Sequence, residues 1–453
     1  MNRKNETIEF RTSGYRSPIG KGLNPQIATE IGASIVEHIG ESPLFIGYDN
    51  RRSSLALAYA VASGMMERGA YVYIVSDNVP TPVTVNYIVH SENKAGVMIT
   101  GSHLPASDNG IIYLLGDGTY FKGEIPRVKI GEVSWEGYGD AEFTDEPVFS
   151  YFDRLRKAVE KHYIIDQDRV IVIDTAHGPS IHYFRDMLSG TSRAIVEINT
   201  QMDDRFPGRP SEPLPNHIIS TQAIAQHVGA DIGVATDMDG DRVVFIDEKQ
   251  RVIIGDIIGT LFAIHYWEKN PGKFVVAPIN TSLILEWAAE KYGGKTAYTA
   301  VGPPSIIAGI KTYNAEFAFE ESGKYFFMEW GIWPDAMYST LKLLDMLKTR
   351  DQTLGEFVDL LPKTSLVKEK FRGSKHHFYK YYEKIKNTLE EYFRPKEVAT
   401  IDGIKLIFED NTWILVRPSG TERYIRVFSE AFDAKIAKQR LNEAKHITQE
   451  ILK

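Results

Sequence analysis

The sequence of 453 residues contains no cysteine. Disulfide bonds, cysteine–zinc sites and thiol catalysis are therefore excluded. With a formal net charge of −8, the chain does not have the excess of basic residues that general nucleic-acid-binding proteins show. No stretch approaches the roughly 20 apolar residues of a membrane helix, and the first residues lack the apolar core of a signal peptide. These absences predict a cytoplasmic protein without a nucleic-acid or membrane partner. A small anionic substrate is still compatible with the net negative charge, because a local basic site can occur in an acidic protein.

Strand-like apolar runs and amphipathic helices alternate along most of the chain. Hydrophobic residues make up 43% and aromatic residues 11% of the sequence, as in globular proteins with substantial cores. The alternation begins near the N-terminus and restarts twice. It predicts three successive α/β domains with mixed sheets, over residues 1–150, 151–252 and 253–365.

The last part of the chain has a different pattern. Residues 404–416 contain two apolar runs around a turn, which predicts a β-hairpin. The apolar residues of Ala434–Leu452 recur at helical spacing, with Ile436 on the inward face. We therefore expect an antiparallel α+β domain over residues 366–453, preceded by a linker at 361–375.

Three carboxylates lie two residues apart in the loop at 237–242, between two strand-like apolar runs. Alternate side chains of an extended segment point the same way, so Asp237, Asp239 and Asp241 would repel one another unless a cation lies among them. Hard oxygen ligands favour Mg²⁺, which commonly also binds a phosphate oxygen. A calcium loop of the helix–loop–helix type fits poorly, because Arg242 occupies the place that requires glycine.

Three more loops combine glycine with polar side chains near the ends of predicted strands. Ser102 lies on a glycine turn after an apolar run, where α/β sheets place their ligands. A serine hydroxyl is a weak nucleophile unless a base or a metal activates it, or unless it already carries a phosphoryl group. The loop at 417–423 offers arginine, hydroxyls and glycine, which together form an anion nest. The loop at 319–324 presents acidic and hydroxyl side chains suited to sugar hydroxyls.

Taken in their order along the chain, the four loops resemble those of the α-D-phosphohexomutase superfamily, most closely its phosphomannomutase/phosphoglucomutase type. The resemblance covers essentially the whole chain, with one loop in each domain. It implies a heart-shaped architecture around a central cleft. It also implies an enzyme that interconverts hexose 1-phosphate and hexose 6-phosphate, with mannose and/or glucose as the sugar. The implied route uses a phosphoserine, a hexose 1,6-bisphosphate that also serves as activator, and one Mg²⁺ per active site.

The resemblance further implies a role for each loop residue. Ser102 would carry the phosphoryl group, and the catalytic set would be completed by His103, Arg16 and Lys324. The metal would be held by an oxygen on Ser102 together with Asp237, Asp239 and Asp241. Arg242 would bind the phosphoryl group or the substrate. The sugar hydroxyls would be bound by Glu320, Ser322 and Lys324. The phosphate that does not react would be bound by Arg417, Ser419, Gly420, Thr421 and Arg423.

Two departures from the family pattern leave the general acid and base open. Ile112 stands where many relatives carry a lysine, and Lys324 replaces the histidine that often ends the sugar loop. Two alternative functions also stay open: a phosphoglucosamine mutase on the same scaffold, and a catalytically silent protein that binds sugar phosphates. The sequence is compatible with a monomer or a homodimer.

Overall fold

The computed structural model describes residues 7–12, 14–131, 133–162, 164–420 and 423–453. The chain forms two units, each of which combines two distant segments. The first unit comprises Met1–Gly255 and Ser322–Glu356, and the second comprises Asp256–Glu321 and Phe357–Lys453. Within the described ranges, no helix has both the length and the apolarity that crossing a membrane requires.

Alternating strands and helices form the N-terminal part of the first unit. They are β1 (Thr7–Phe10), β2 (Tyr15–Pro18), α1 (Pro25–Ile39), β3 (Leu44–Tyr48), α2 (Ser54–Glu67), β4 (Val72–Val75), α3 (Thr81–His90), β5 (Ala95–Ile99), β6 (Asp108–Leu115), β7 (Gly123–Pro126), β8 (Ala141–Thr144) and α4 (Glu146–Lys161). One six-stranded sheet has the order β2-β6-β5-β3-β4-β8, and β1 pairs with β7. Strands β5, β3, β4 and β8 are parallel, whereas β6 is antiparallel to both of its neighbours. The sheet is therefore mixed, as predicted.

The central strands of this sheet are buried along their whole length. All five residues of β3 and all five of β5 are buried, as is typical of parallel strands with both faces covered. Helices α1 and α2 approach one another closely at two glycines. A Cβ at Gly32 would lie 2.1 Å from Val61 O, and one at Gly64 would lie 1.9 Å from Thr29 O. Glycine is therefore required for this helix contact.

The second sheet of the first unit carries the carboxylate loop. Its elements are β9 (Asp166–Asp174), α5 (Ile181–Leu188), β10 (Ser192–Ile198), α6 (Ile219–Val228), β11 (Ile232–Thr236), β12 (Val243–Ile246) and β13 (Val252–Ile253). The strand order is β10-β9-β11-β12-β13. Strand β11 is parallel to β9 and antiparallel to β12, and all residues of β11 and β12 are buried. The loop at 237–242 therefore leaves one buried strand and returns directly into its neighbour.

The segment Ser322–Glu356 adds β17 (Lys324–Phe327) and α10 (Ala336–Arg350) to the first unit, and α11 (Leu354–Val358) follows. Asp335 caps α10 by accepting a hydrogen bond from Tyr338 N. The same carboxylate accepts hydrogen bonds from Tyr151 Oη and Trp330 Nε1, both at 2.6 Å. This buried carboxylate therefore ties the start of α10 to α4.

The second unit begins with an α/β part. Its elements are α7 (Gly255–Lys269), β14 (Phe274–Pro278), α8 (Ile284–Tyr292), β15 (Lys295–Thr299), α9 (Pro303–Tyr313) and β16 (Phe317–Glu320). Strand β14 is parallel to both β15 and β16. The loops that follow β15 and β16 therefore leave from the same edge of the sheet.

An antiparallel part completes the second unit. Its elements are β18 (Ser365–Arg372), α12 (Lys375–Lys380), α13 (Tyr382–Phe393), β19 (Glu397–Ala399), β20 (Ile404–Ile407), β21 (Trp413–Pro418), β22 (Tyr424–Ala431) and α14 (Ala434–Leu452). The strand order is β18-β22-β21-β20-β19, with antiparallel neighbours throughout. The predicted hairpin is confirmed as β20 and β21. The predicted linker at 361–375 is wrong over β18, because that strand pairs with β22 along its whole length.

The core of this antiparallel part lies between its sheet and the helices α13 and α14. Leu389, Ile414 and Leu441 belong to one buried cluster. The predicted inward position of Ile436 is wrong, because its side chain is 45% exposed while Ala437 is buried. The fold class itself is confirmed: three α/β sheets precede a C-terminal α+β domain.

Candidate active site

Ser102 lies on the loop that follows β5, at the carboxyl end of the parallel part of its sheet. Its backbone φ of +48° falls in the left-handed region, which residues other than glycine rarely adopt. Strain of this kind costs on the order of 1–3 kcal/mol and persists only where surrounding contacts hold it. One such contact is the hydrogen bond from Ser102 N to Thr100 Oγ1, at 2.8 Å.

Arg51 supplies further contacts to the serine loop. Its guanidinium donates hydrogen bonds to four backbone carbonyls of that loop, those of Ser102 (2.7 Å), Leu104 (2.7 Å), Pro105 (2.6 Å) and Asp108 (3.0 Å). Asp49 Oδ2 lies 3.5 Å from Arg51 Nε, and both side chains are buried. The planar guanidinium of arginine carries five N–H donors and can therefore donate hydrogen bonds to several carbonyls at once. Arg51 therefore fixes the course of the loop on which Ser102 lies.

Three buried carboxylates converge in the loop between β11 and β12. One oxygen atom from each of Asp237, Asp239 and Asp241 lies within 4.8 Å of the other two. Gly240 has a φ of +68°, and its N–H donates to Asp237 O at 3.2 Å. This tight turn brings together the three side chains that the sequence pattern singles out.

Burial and mutual repulsion act on these carboxylates. The pKa of Asp237 is raised well above its usual range by burial and by the charges of Asp239 and Asp241. Burial acts on Asp241 in the same direction, but the positive charges of Lys324 and Arg242 outweigh it and lower the pKa. Asp239 Oδ1 and Asp241 Oδ1 are buried, and neither has a hydrogen-bond partner among the residues that the structure describes. A divalent cation fits this donor set, because it would satisfy both oxygens and offset the repulsion.

The serine loop and the carboxylate loop are joined through side-chain hydroxyls. Ser102 Oγ lies 3.2 Å from Asp237 Oδ2. Asp239 Oδ2 accepts hydrogen bonds from Thr81 Oγ1 at 2.9 Å and from Thr100 Oγ1 at 3.2 Å. The candidate nucleophile is therefore in direct contact with the candidate metal ligands.

Ser211 connects the same two loops through their backbones. Its Oγ donates to Ser102 O at 3.0 Å and accepts from Met238 N–H at 3.0 Å. A Cβ at Gly178 would lie 1.9 Å from Met238 O, so the carboxylate loop also packs directly against that turn. The relative position of the two loops is thus fixed by residues that lie outside the predicted site.

Arg242, His103 and Arg16 surround Ser102. Arg242 Nη2 lies 3.0 Å from His103 Nδ1, which is itself 3.5 Å from Ser102 Oγ. The charge of Arg242, followed by burial and the charge of Arg16, lowers the pKa of His103 far below its usual range. His103 is therefore neutral, and its Nδ1 accepts a hydrogen bond from Arg242 Nη2. Arg16 Nη1 donates to Gly101 O at 3.4 Å. The structure thus brings all three predicted residues to the serine loop.

Lys324 lies at the carboxylate cluster, where its Nζ contacts Asp241 Oδ2 and both side chains are buried. The preceding Gly323 has a φ of +86°, and a Cβ there would lie 2.4 Å from Val243 O. Glycine at this position lets the start of β17 approach the carboxylate loop. Ser322, in the turn before it, is half-buried.

Arg417 lies near the end of β21 in the second unit and pairs with Asp402, with 2.7 Å between Nη2 and Oδ2. Gly403 has a φ of +100°, and a Cβ there would lie 2.6 Å from Arg417 Cβ. The side chain of Arg417 is buried, and its Nε has no hydrogen-bond partner within the described part of the chain. Asp402 therefore orients a guanidinium that keeps donor capacity for an anion.

Glu320 and Asp402 are both held by the loop that follows β15. Gly302 N donates to Glu320 Oε1 at 2.8 Å, and Val301 N donates to Asp402 Oδ2 at 3.2 Å. Two consecutive backbone N–H groups therefore position the predicted sugar residue and the partner of Arg417.

The remaining residues of the predicted phosphate loop differ in exposure. Ser419 is buried, and its N–H donates to Tyr424 O at 2.8 Å. Gly420 and Arg423 are exposed. Thr421 lies outside the described residues.

Four residues that organise these sites were not predicted from the sequence: Arg51, Thr81, Ser211 and Asp402. A sequence signal exists for Arg51, because a charged pair directly after a fully buried strand requires a local partner. Asp402 also has one, since Asp-Gly before a strand indicates a turn with positive φ at glycine. The two hydroxyl residues carry no such signal, because their partners are distant in the chain.

Comparison with known proteins gives a consistent result for the whole chain. Family models described as phosphoglucomutase/phosphomannomutase match in four consecutive parts: alpha/beta/alpha domain I at residues 7–131, domain II at 150–250, domain III at 254–364 and the C-terminal domain at 375–446. The phosphoglucosamine mutase of Methanococcus vannielii is 31% identical over 96% of this chain and 97% of its own length. The phosphoglucomutase/phosphomannomutase of Thermococcus kodakarensis is 30% identical over 98% and 99%, respectively.

Solved structures show the same fold at lower identity. A phosphoglucomutase/phosphomannomutase family protein from Burkholderia thailandensis superposes with a TM-score of 0.82 at 24% identity, covering 98% of this chain and 97% of that one. The N-acetylphosphoglucosamine mutase of Aspergillus fumigatus, solved in complex with GlcNAc-6P and magnesium, has a TM-score of 0.65 at 13% identity and covers 100% and 97%. The chain therefore belongs to the phosphoglucomutase/phosphomannomutase family of the α-D-phosphohexomutase superfamily, a family of mutases in the isomerase class.

Proposed function

We propose that this chain is a Mg²⁺-dependent phosphohexomutase that interconverts hexose 1-phosphate and hexose 6-phosphate through a phosphoserine at Ser102. One observation carries the proposal: Ser102 Oγ lies 3.2 Å from Asp237 Oδ2, within a cluster of three buried carboxylates. A phosphoryl group on that hydroxyl would place its oxygens beside the same carboxylates. Phosphoryl transfer depends mainly on positioning and on charge neutralisation. The two loops supply the positioning, and a divalent cation held by the carboxylates would supply the neutralisation.

In the proposed reaction, a phosphoryl group and a proton change places between Ser102 and the sugar. The bond from phosphorus to Ser102 Oγ breaks, a new bond forms to the sugar hydroxyl oxygen, and the hydroxyl proton ends on Ser102. The resulting 1,6-bisphosphate returns its other phosphoryl group to the serine by the same exchange. A Mg²⁺ held by Asp237, Asp239 and Asp241 would lower the charge on the phosphoryl oxygens.

The surrounding cations have separate roles in this proposal. Arg242 and Arg16 donate hydrogen bonds to the phosphoryl oxygens, and each has a buried Nε with no hydrogen-bond partner among the described residues. Neutral His103 accepts a hydrogen bond from Arg242 and thereby orients its guanidinium. Lys324 balances the charge of Asp241 and is the predicted catalytic group in contact with that carboxylate.

The proposed sugar and phosphate ligands lie on the loops at 319–324 and 417–423. We assign the sugar hydroxyls to Glu320, Ser322 and Lys324. The phosphate that does not react is assigned to Arg417, Ser419, Gly420, Thr421 and Arg423. A buried guanidinium with an unused Nε supports the assignment of Arg417. The hexose 1,6-bisphosphate is the proposed activator, and we propose domains over residues 1–150, 151–252, 253–365 and 366–453.

Mannose and/or glucose phosphate is the first proposed substrate. Glucosamine phosphate is the second, and one observation favours it: the relative from Methanococcus vannielii is named a phosphoglucosamine mutase. A silent sugar-phosphate-binding protein is disfavoured, because such a protein has no need for a serine in contact with a carboxylate cluster.

A coupled assay distinguishes these substrates. Mannose, glucose and glucosamine 1-phosphates are each supplied with Mg²⁺ and a priming amount of the hexose 1,6-bisphosphate. We expect turnover of at least one sugar by the wild type and loss of several orders of magnitude in Ser102→Ala. Absence of turnover with all three sugars, or equal rates in the variant, would refute the proposal.

A further inference from the structure

Several polar atoms around the serine and carboxylate loops are buried without a hydrogen-bond partner among the residues that the structure describes. Among them are Arg16 Nε, Tyr120 Oη, Asp239 Oδ1, Asp241 Oδ1 and Arg242 Nε. Most buried polar atoms in proteins have a partner, so a cluster of exceptions indicates a missing ligand. The proposed metal accounts for the two carboxylate oxygens, and the proposed phosphoryl group accounts for the two arginines. The hydroxyl of Tyr120 is not yet assigned.

The register of the sheet explains how Tyr120 comes to this site. Tyr120 forms a bridge with Leu114 on β6, and Arg16 pairs with Gly110 on the same strand. Every second residue of a strand points to the same face, so positions 110, 112 and 114 share one face of β6. Residues paired with them on adjacent segments point to that face as well. Arg16, Tyr120 and Ile112 therefore project from one face, with the apolar Ile112 between the two polar residues.

The charges of the carboxylate cluster and of Arg16 act on the phenol of Tyr120. Burial raises the pKa of Tyr120 well above its usual range, and the charges of Asp241 and Asp239 raise it further. The charge of Arg16 acts in the opposite direction. The side chain is 4% exposed. The phenol therefore keeps its proton and can donate a hydrogen bond.

We propose that Tyr120 is a phosphoryl-binding residue, whose hydroxyl donates a hydrogen bond to the phosphoryl group held between Ser102 and the carboxylates. This inference rests on the proposed function, in which a phosphoryl group occupies that place. A neutral donor is suited to this position, because it binds an anionic oxygen without competing for the carboxylates as another cation would. Removal of the donor weakens phosphoryl binding while leaving the metal ligands and the guanidinium groups in place.

The test compares Tyr120→Phe with Tyr113→Phe as a matched control. Tyr113 is also buried and lies on β6, next to Leu114, but its hydroxyl already forms a hydrogen bond with His38 Nδ1 at 3.0 Å. Binding of inorganic phosphate to the Mg²⁺-loaded protein is measured by calorimetry, together with kcat, KM and Tm. For Tyr120→Phe we expect phosphate affinity and kcat to fall about tenfold to a hundredfold, with an unchanged or higher Tm. For Tyr113→Phe we expect a lower Tm with unchanged phosphate affinity and kcat.

The outcomes separate this inference from the proposed function. Wild-type phosphate affinity and kcat in Tyr120→Phe would overturn the inference. A lower Tm with unchanged phosphate affinity would also overturn it, because the phenol would then be structural. If the wild type turns over no sugar phosphate but Tyr120→Phe still weakens phosphate binding, the proposed function fails while the assignment of Tyr120 stands.

Discussion

Replacement of Arg51 by lysine tests whether hydrogen bonds to the backbone carbonyls of the serine loop hold that loop in place. Lysine keeps the positive charge beside Asp49 but replaces the planar fork by a single ammonium group. Arg51 donates to four carbonyls, whereas an ammonium has three donors at one point. At least one charge-assisted hydrogen bond is therefore lost.

The size of the effect follows from that count. A hydrogen bond to a charged group contributes about 1.5–3 kcal/mol. Loss of one such bond lets the loop leave the conformation in which Ser102 has its positive φ, because that conformation is itself strained. We expect kcat/KM to fall about tenfold to a hundredfold and the free energy of unfolding to fall by about 2 kcal/mol.

The matched control is Arg169→Lys. Arg169 is also buried and pairs with Asp166 at 3.1 Å, but it lies in the other sheet of the first unit, where its guanidinium donates to Ile164 O at 3.4 Å. We expect a similar loss of stability in this variant, with wild-type kcat/KM. The reasoning about Arg51 is refuted if Arg51→Lys loses stability but keeps wild-type kcat/KM, as the control does.

Three further predictions concern the metal, the phosphate loop and pH. Asp239→Asn removes one anionic ligand and should weaken activation by Mg²⁺ at least about tenfold in a metal titration, whereas Asp335→Asn should lower only Tm; equal metal dependence in both would contradict the site. Arg417→Ala should raise KM for sugar phosphate about tenfold to a hundredfold, because a charged hydrogen bond is lost, whereas Arg440→Ala should leave it unchanged. Burial lowers the pKa of Lys405 from 10.5 to about 8. Below pH 8 the lysine is charged in both the folded and the unfolded protein, and the free-energy cost of burying its charge is fully present. Between about pH 8 and 10.5 only the unfolded chain keeps the proton. The free energy of unfolding should therefore rise by about 3 kcal/mol over that range. Denaturant titrations should show no such rise in Lys405→Met, and an equal rise in both proteins would contradict the assignment.

The carboxylate loop illustrates what the sequence predicts well. Its three carboxylates lie two residues apart between two buried strands, and a local turn at Gly240 brings them together, rather than the extended segment that the pattern suggested. The hairpin of β20 and β21 is local in the same sense. Both features depend on neighbours within a few residues, and the structure contains both.

Contacts between distant segments were not predictable in the same way. Ser211 lies 109 residues from Ser102 in the chain, and nothing near either serine indicates their hydrogen bond. The linker prediction rests on Pro362 and Gly373, which lie on either side of β18. Within the strand, Lys368, Glu369 and Lys370 interrupt the apolar pattern. Such charges are typical of an edge strand, which β18 is in the sheet order. The inward face of α14 was misjudged at Ile436 because packing against the sheet, rather than residue size, sets the phase of the helix.

The central claim is that Ser102 carries and exchanges the phosphoryl group. The most direct measurement is the intact mass of the protein after incubation with hexose 1,6-bisphosphate and Mg²⁺, followed by localisation of the modified residue. A gain of about 80 Da is expected on Ser102, and the gain should disappear when a hexose monophosphate is added in excess. A protein that interconverts hexose phosphates without any such gain, or that gains it on another residue, would contradict the account.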